Sequence, residues 1–90
     1  MTKQELVNRV AGGAQVSPEA TEKVINETMF EIKKALAQGR NIYLRGFGTW
    51  LPKERKAKLA RNISKGTTVR IPAHRVPFFK PSKEFKLLLK

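Results

Sequence analysis

The chain has 90 residues, of which 19 are Lys or Arg and seven are Asp or Glu, giving a formal net charge of +12. This length predicts one domain with a small core, and the absence of cysteine excludes disulfides and cysteine-based metal sites. No pattern of a signal peptide or of a transmembrane helix is present, so we expect a cytoplasmic protein.

The positive charge is concentrated in the second half of the chain. Residues 1–40 hold six basic and five acidic side chains, a net of +1, whereas residues 41–90 hold thirteen basic and two acidic ones, a net of +11. Charges of one sign repel one another unless a polyanion neutralises them. The first half is therefore predicted to be scaffold, and the second half to bind nucleic acid.

Two amphipathic helices are predicted in the first half. A capping-box pattern beginning at Thr2 predicts a first helix from about Lys3 to Ala11, which ends at Gly12-Gly13. Ser17 is expected to cap a second helix, and its wide apolar stripe continues until Gly39 ends it.

The second half alternates short β-rich segments with turn residues. The predicted strands, in chain order, are residues 41–45, 49–60, 67–71 and 76–80. Ser82 then caps a last short helix from Lys83 to Leu89. The fold class is α+β, in the order α-α-β-β-β-α, with a three-stranded antiparallel sheet whose central hairpin extends into an arm.

The arm is predicted to stand outside the core, because its first strand is basic on both faces. Side chains alternate along a strand, so a core could cover only one face. The residues of one face are Lys53, Arg55 and Arg61, and those of the other are Lys56 and Lys58. Pro52 and Pro72 cannot donate to a ladder and are expected to mark the base of the arm.

A homodimer is expected, because the arm leaves only about 65 residues for a core, near the size at which a monomeric fold is marginal. Aromatic residues near the turns are predicted to pack in the core rather than to stack on bases. Phe47, Trp50 and Phe79 are expected where the sheet meets the second helix and a partner subunit, as the dimer core.

Several motifs in order resemble the bacterial HU and integration-host-factor family of DNA-bending proteins, and HU in particular. They are Gly46-Phe47-Gly48-Thr49-Trp50, Arg61-Asn62 with Gly66, Ile71-Pro72-Ala73, Val76-Pro77 and Phe79-Lys80-Pro81. The resemblance covers the whole chain. It implies an intertwined homodimer, or a heterodimer with a paralogue, whose two arms enter the minor groove of double-stranded DNA and bend it in the nucleoid.

The resemblance divides the single domain of residues 1–90 into a dimer body, residues 1–52 and 73–90, and a DNA-binding arm, residues 53–72. It implies that an apolar residue at the arm tip wedges between base pairs. Ile63 takes that position here, where the family usually has proline, and Ser82 replaces a common glycine. The implied DNA-binding residues are Lys3, Lys53, Arg55, Lys56, Lys58, Arg61, Asn62, Ile63, Lys65, Arg70, Arg75, Lys80, Ser82, Lys83 and Lys86.

Other functional classes remain as alternatives. A helix-turn-helix repressor is disfavoured, because Glu19, Glu22 and Glu27 near the start of the second helix would face phosphates. An RNA-binding or ribosome-associated protein that bends nothing, and a membrane-surface or polyanion binder, share the basic composition. His74 is the single histidine, and no serine has a base beside it in sequence, so we predict neither an enzyme nor a metal or other cofactor.

Overall fold

Two helices precede five strands and a short third helix in the part of the chain that this computed structural model describes, residues 1–62 and 66–89. For residues 60–62, 67 and 69 the backbone alone is described. The elements are α1 (Lys3–Ala14), α2 (Pro18–Ala37), β1 (Ile42–Leu44), β2 (Gly48–Arg55), β3 (Lys58–Asn62), β4 (Thr67–Ile71), β5 (His74–Pro81) and α3 (Lys83–Leu88). The predicted α+β class is confirmed, with five strands described instead of the four segments expected.

Met1–Lys34 and Ala35–Lys90 form two compact units. In the first unit, hydroxyl groups cap both helices as predicted: Thr2 Oγ1 accepts from the Glu5 N–H at 3.2 Å, and Ser17 Oγ accepts from the Ala20 N–H at 3.2 Å. Each bond satisfies one of the backbone donors that the first turn of a helix leaves unpaired. Val7 and Ala11 of α1 and Thr21 of α2 are buried.

The prediction that α1 ends at Gly12-Gly13 is wrong, because the helix continues to Ala14. Glycine costs a helix about 1 kcal/mol per residue relative to alanine but does not forbid helical geometry. Gln15 ends the helix with a left-handed backbone, φ 58° and ψ 47°, and the Val16 N–H then donates to the Ala11 carbonyl at 3.0 Å. The bond satisfies the Ala11 carbonyl, which the end of the helix would otherwise leave unpaired. Gln15 adopts the left-handed conformation that this bond requires, although it is not a glycine.

The end of α2 follows the expected pattern at Gly39. Its φ is +78°, the Gly39 N–H donates to Leu36 O at 3.0 Å, and the Arg40 N–H donates to Ala35 O at 2.9 Å. Both bonds belong to the Schellman motif, for which glycine is the usual residue. The chain thereby reverses direction and enters β1.

The three-stranded sheet has the order β1-β2-β5, and every pair is antiparallel. β1 and β2 are joined by a turn in which the Phe47 N–H donates to Leu44 O at 2.9 Å, and Gly46 takes a φ of +81°. A positive φ at the third position is the mark of a type II turn and explains this glycine. Gly48 allows a close approach between β2 and β5, because a β-carbon there would lie 2.6 Å from Lys80 O and from Phe79 Cζ.

The expected single strand over residues 49–60 is wrong, since β2 ends at Arg55 and β3 begins at Lys58. The two residues between them lie beside the interruption at Pro72-Ala73 on the returning chain, where β4 has ended and β5 has not begun. Proline has no N–H to donate to a ladder, so pairing stops here and resumes as a separate two-stranded β3-β4 sheet.

Pro52 does not mark this interruption. It lies within β2 opposite Pro77, beyond the last residue pair between β1 and β2 at Trp50 and Ile42. An antiparallel ladder alternates hydrogen-bonded with non-hydrogen-bonded pairs, and two facing prolines fit the second kind. The β2-β5 ladder therefore continues past both prolines to Arg55 and His74.

Two glycine substitutions test these backbone assignments. Gly13 lies inside α1, and no atom lies within 4 Å of the place that a β-carbon would take there, so Gly13→Ala is expected to stabilise the protein by about 0.5–1 kcal/mol. Gly48→Ala forces a methyl group against backbone and an aromatic ring and is expected to cost about 1–3 kcal/mol. Urea unfolding at one fixed protein concentration measures both; a Gly48→Ala variant as stable as the wild type would contradict the close approach.

Candidate nucleic-acid interface

Exposed cations surround the place where one ladder ends and the other begins. Arg55 ends β2, Lys56 lies in the connection, and Lys58 begins β3; all three side chains are exposed. Together with Ala57, His74 and Val76 they line a recess of about 570 Å³. The structure thus brings together three of the predicted DNA-binding residues.

The two-stranded β3-β4 sheet forms the rest of the predicted arm. Its register pairs Lys58 with Ile71 and Asn62 with Thr67. Arg70 is exposed on β4, opposite Leu59, which is itself 74% exposed. An exposed leucine beside exposed cations agrees with the prediction that this ribbon is not part of a core.

A second basic recess lies where β1, β2, β5 and α3 meet. It has a volume of about 420 Å³, and its lining includes the predicted residues Lys80, Ser82 and Lys83. Tyr43 and Arg45 also line it. Sequence reasoning did not include Arg45; its position beside the Gly46 turn, in the strongly basic half of the chain, is the signal that identifies it in retrospect.

Ser82 has a structural role within this recess. Its Oγ accepts from the Phe85 N–H at 3.1 Å, and its own N–H donates to Phe47 O at 2.8 Å. The first bond confirms Ser82 as the N-cap of α3. The second ties the start of α3 to the β1-β2 turn, so the backbone donor of Ser82 is already used inside the chain.

Two other predicted DNA-binding residues, Lys53 and Arg75, make contacts within the chain. The Lys53 Nζ lies 4.4 Å from the centre of the Phe78 ring, within the range of a cation–π interaction. The Arg75 Nη1 lies 3.0 Å from the place that a Gly39 β-carbon would take. Arg75 therefore packs beside the end of α2, where a positive charge also favours the helix dipole.

Lys3 and Lys86 are exposed and belong to different units of the chain. The Lys3 Nζ donates to Asn26 Oδ1 at 2.8 Å, which links the start of α1 to α2. Ile63 and Lys65 lie outside the described residues, and for Arg61 and Asn62 the backbone alone is described. The roles of all these residues stay predictions.

The three residues predicted for the dimer core belong to one aromatic cluster. Phe79 lies at its centre, with its ring 5.0 Å from that of Phe47, 4.8 Å from that of Trp50 and 6.2 Å from that of Phe85. Phe47 also stacks on Phe85 at 5.3 Å, yet 46% of Phe47 stays exposed. Large aromatic side chains gain most of their stabilisation from burial, so this half-covered cluster is suited to a further packing surface.

Among the described residues, no group of three or more His, Cys, Asp or Glu side chains is placed to hold a metal ion. In the same part of the chain, no helix is long and apolar enough to cross a membrane.

Comparison with known proteins identifies the family. The sequence profile of the "Bacterial DNA-binding protein" family matches residues 1–90. Integration host factor subunit beta of Methylococcus capsulatus is 40% identical over 87 residues, covering 96% of this chain and 92% of that protein. DNA-binding protein HU 1 of Bacillus subtilis is also 40% identical, over 86 residues, covering 96% of this chain and 94% of that protein. The chain is thus as similar in sequence to an integration host factor subunit as to an HU protein.

Solved structures agree with the sequence comparison. The HU chain of an Anabaena HU–DNA cocrystal structure superposes with a TM-score of 0.95 at 36% identity, covering 99% of this chain and 97% of that one. HU from Thermotoga maritima gives a TM-score of 0.70 at 26% identity, with both chains covered completely. These relatives are DNA-binding proteins and not enzymes, as the composition and the motifs predicted. The chain therefore belongs to the bacterial DNA-binding protein family that includes HU and integration host factor.

Proposed function

We propose that this protein binds double-stranded DNA with little sequence preference, bends it, and contributes to the architecture of the nucleoid in the cytoplasm. The observation that carries the proposal is the ribbon of exposed cations, Arg55, Lys56, Lys58 and Arg70, on a fold that superposes on the HU chain of an HU–DNA cocrystal structure. Family membership over residues 1–90 supports the same function. Lysine and arginine contacts to phosphates supply most sequence-independent affinity for DNA.

The arm, residues 53–72, is proposed to lie in the minor groove, and the remaining residues to form the body. The floor of this groove distinguishes A·T from G·C pairs but little else, so contacts from Arg61 and Asn62 would carry weak specificity. Preference would then arise from how readily a DNA sequence deforms. On the body, the recess with Arg45, Lys80 and Lys83 is proposed to contact the flanking backbone.

Ile63 is proposed as the wedge that opens a base step. In sequence it lies between Asn62, the last residue of β3, and Thr67, the first residue of β4. An apolar side chain among Arg61, Asn62 and Lys65 in sequence would be buried by insertion between bases. Unstacking costs a few kcal/mol per step, which the additional contacts of a bent duplex offset.

The DNA-binding unit is proposed to be a dimer of this chain, or a heterodimer with a paralogue. Apolar side chains are exposed in both units of the single chain: Leu6, Val24 and Phe30 in the first are 45%, 63% and 47% exposed, and Phe47 in the second is 46% exposed. The buried apolar residues of the described part are Val7, Ala11 and Leu36 alone. A core this small does not stabilise a domain, so burial against a partner is needed.

The phosphate contacts predict a strong dependence on salt. Each neutralised phosphate adds roughly −0.9 to the slope of log K against log salt concentration, so we expect a slope of about −5 or steeper. Lys58→Ala should flatten the slope by about 0.9 per arm. Lys33→Ala removes the same charge from α2 and should leave the slope unchanged. Titration of a labelled duplex over a range of KCl concentrations measures this; a slope near zero, or equal affinity for duplex RNA, would contradict the proposal.

The wedge predicts a loss of bending without a loss of electrostatic affinity. Ile63→Ala should reduce the bend angle and the preference for nicked over intact duplex, because the cost of unstacking is already met at a nick. The salt slope should stay the same, since no cation is removed, and Ile63→Pro should restore bending by analogy with the family. Energy transfer between dyes at the duplex ends measures the angle. If Ile63→Ala bends DNA by the same angle as the wild type, the wedge is wrong and the arms only bind in the groove.

The dimer predicts a melting temperature that rises with protein concentration, because association stabilises the folded state by mass action. Phe47→Ala should weaken association and lower the melting temperature at micromolar concentration. Leu59→Ala, which removes an exposed apolar side chain from the ribbon, serves as the control and should leave association unchanged. Sedimentation equilibrium provides the mass; a wild-type monomer with a concentration-independent melt would exclude the dimer.

A further inference from the structure

The recess at the interruption between the two ladders contains permanent cations and one group that can gain or lose a proton. Arg55, Lys56 and Lys58 line it together with His74, and the other lining residues are the apolar Ala57 and Val76. Arg55 and His74 are direct partners in the last pair of the β2-β5 ladder. Directly opposed residues place their side chains on the same face of a sheet, so the guanidinium and the imidazole lie on the same side.

One hydrogen bond determines which imidazole nitrogen is available. The His74 Nδ1 lies 2.9 Å from the Pro72 carbonyl oxygen. A carbonyl can only accept, so Nδ1 carries a hydrogen and donates it in both the neutral and the charged imidazole. Neutral His74 therefore keeps its lone pair on Nε2. Protonation changes Nε2 from an acceptor to a donor and leaves the bond to Pro72 in place.

Two further charged groups, Glu54 and Arg75, lie beside His74. A smaller recess of about 250 Å³ is lined by His74 and Ala73 with Glu54 and Arg75. Glu54 of β2 and Arg75 of β5 are direct ladder partners, so their side chains share a face and their charges are of opposite sign. This face is opposite to that of Arg55 and His74, and the Arg75 guanidinium lies beside Gly39. None of the residues that line the recess of Arg55, Lys56 and Lys58 is acidic, so these three charges together attract an anion.

We propose that His74 is a proton-linked phosphate contact at the base of the arm, so that binding of DNA takes up a proton at Nε2. A backbone phosphate in the recess would meet three permanent cations, and its negative charge favours the imidazolium over the neutral ring. The proton comes from solvent and forms the Nε2–H bond, and no bond between heavy atoms changes. Histidine is the side chain whose ordinary titration lies between pH 5 and 8, so the contact makes DNA affinity fall as pH rises through this range. This inference rests on the proposed DNA binding.

Three forms of residue 74 test the proposal at constant ionic strength. Affinity for a duplex is measured by fluorescence anisotropy at pH 5.8 and pH 7.8. Wild-type affinity should be stronger at the lower pH by about twofold to fivefold per histidine, the range for an exposed charge pair. His74→Asn keeps an N–H near the position of Nδ1 but cannot take up a proton, and should bind weakly at both values. His74→Lys, charged at both, should show little change with pH.

Calorimetry counts the protons directly. At pH 6.5, binding enthalpies in buffers of different ionisation enthalpy should show proton uptake by the wild type and less by His74→Asn. His74 is the only histidine, and the terminal amino group is common to both proteins, so the difference reports on this side chain. Equal proton uptake and equal pH profiles in wild type and His74→Asn would overturn the inference.

Further outcomes separate the inference from the function on which it depends. If His74→Asn keeps a normal salt slope and a wild-type pH profile, DNA binding stands and the role of His74 is wrong. If no form binds DNA at either pH, both fail. Inorganic phosphate without DNA is titrated against the imidazole NMR signals; shifts as large as those with DNA at the same phosphate concentration would assign the recess to a free anion and overturn the DNA contact.

Discussion

The antiparallel ladder between β2 and β5 is the interaction on which the rest of the second unit depends. Its eight pairs run from Gly48 and Pro81 to Arg55 and His74. Because register is set residue by residue, this one pairing places Trp50 beside Phe79 near one end and Arg55 beside His74 at the other. A slip by one residue would exchange the faces and separate Trp50 and Phe79 from the cluster they share.

Glycine and proline residues determine where this ladder packs closely and where it ends. Gly48 allows a close approach of β2 to β5, the facing Pro52 and Pro77 fit a pair without hydrogen bonds, and Pro72 lies where pairing is interrupted. The same interruption creates the recess around His74. A feature that breaks secondary structure is therefore also the feature that assembles charged groups from β2, β3 and β5.

The chain combines few buried apolar side chains with many exposed cations, and these two properties are physically related. Charges cannot be buried without partners, so a segment rich in Lys and Arg contributes little to a core. Stability must then come from elsewhere, and the half-exposed Phe47 beside Phe79 and Phe85 offers a surface for it. The proposed binding of DNA and the proposed association with a partner would both be consequences of one composition.

The sequence by itself determined the class of fold, the helix caps and the division into scaffold and basic half. These follow from local chemistry: the hydroxyl groups of Thr2, Ser17 and Ser82 cap the helices they precede. Local chemistry did not predict the end of α1, because glycine permits a helix and Gln15 accepted the left-handed turn at some cost.

The tertiary structure decided which cations lie together and which are used inside the chain. Alternation along one strand assigned Lys53, Arg55 and Lys56 to faces of an unbroken ribbon, but the ladder is interrupted at residues 56 and 57, so alternation does not extend across it. Lys53 contacts Phe78, Arg75 packs beside Gly39, and Arg45 joins Lys80 and Lys83. Each of these contacts joins residues distant in sequence. Only the tertiary structure brings them together, and for that reason no local pattern could have predicted them.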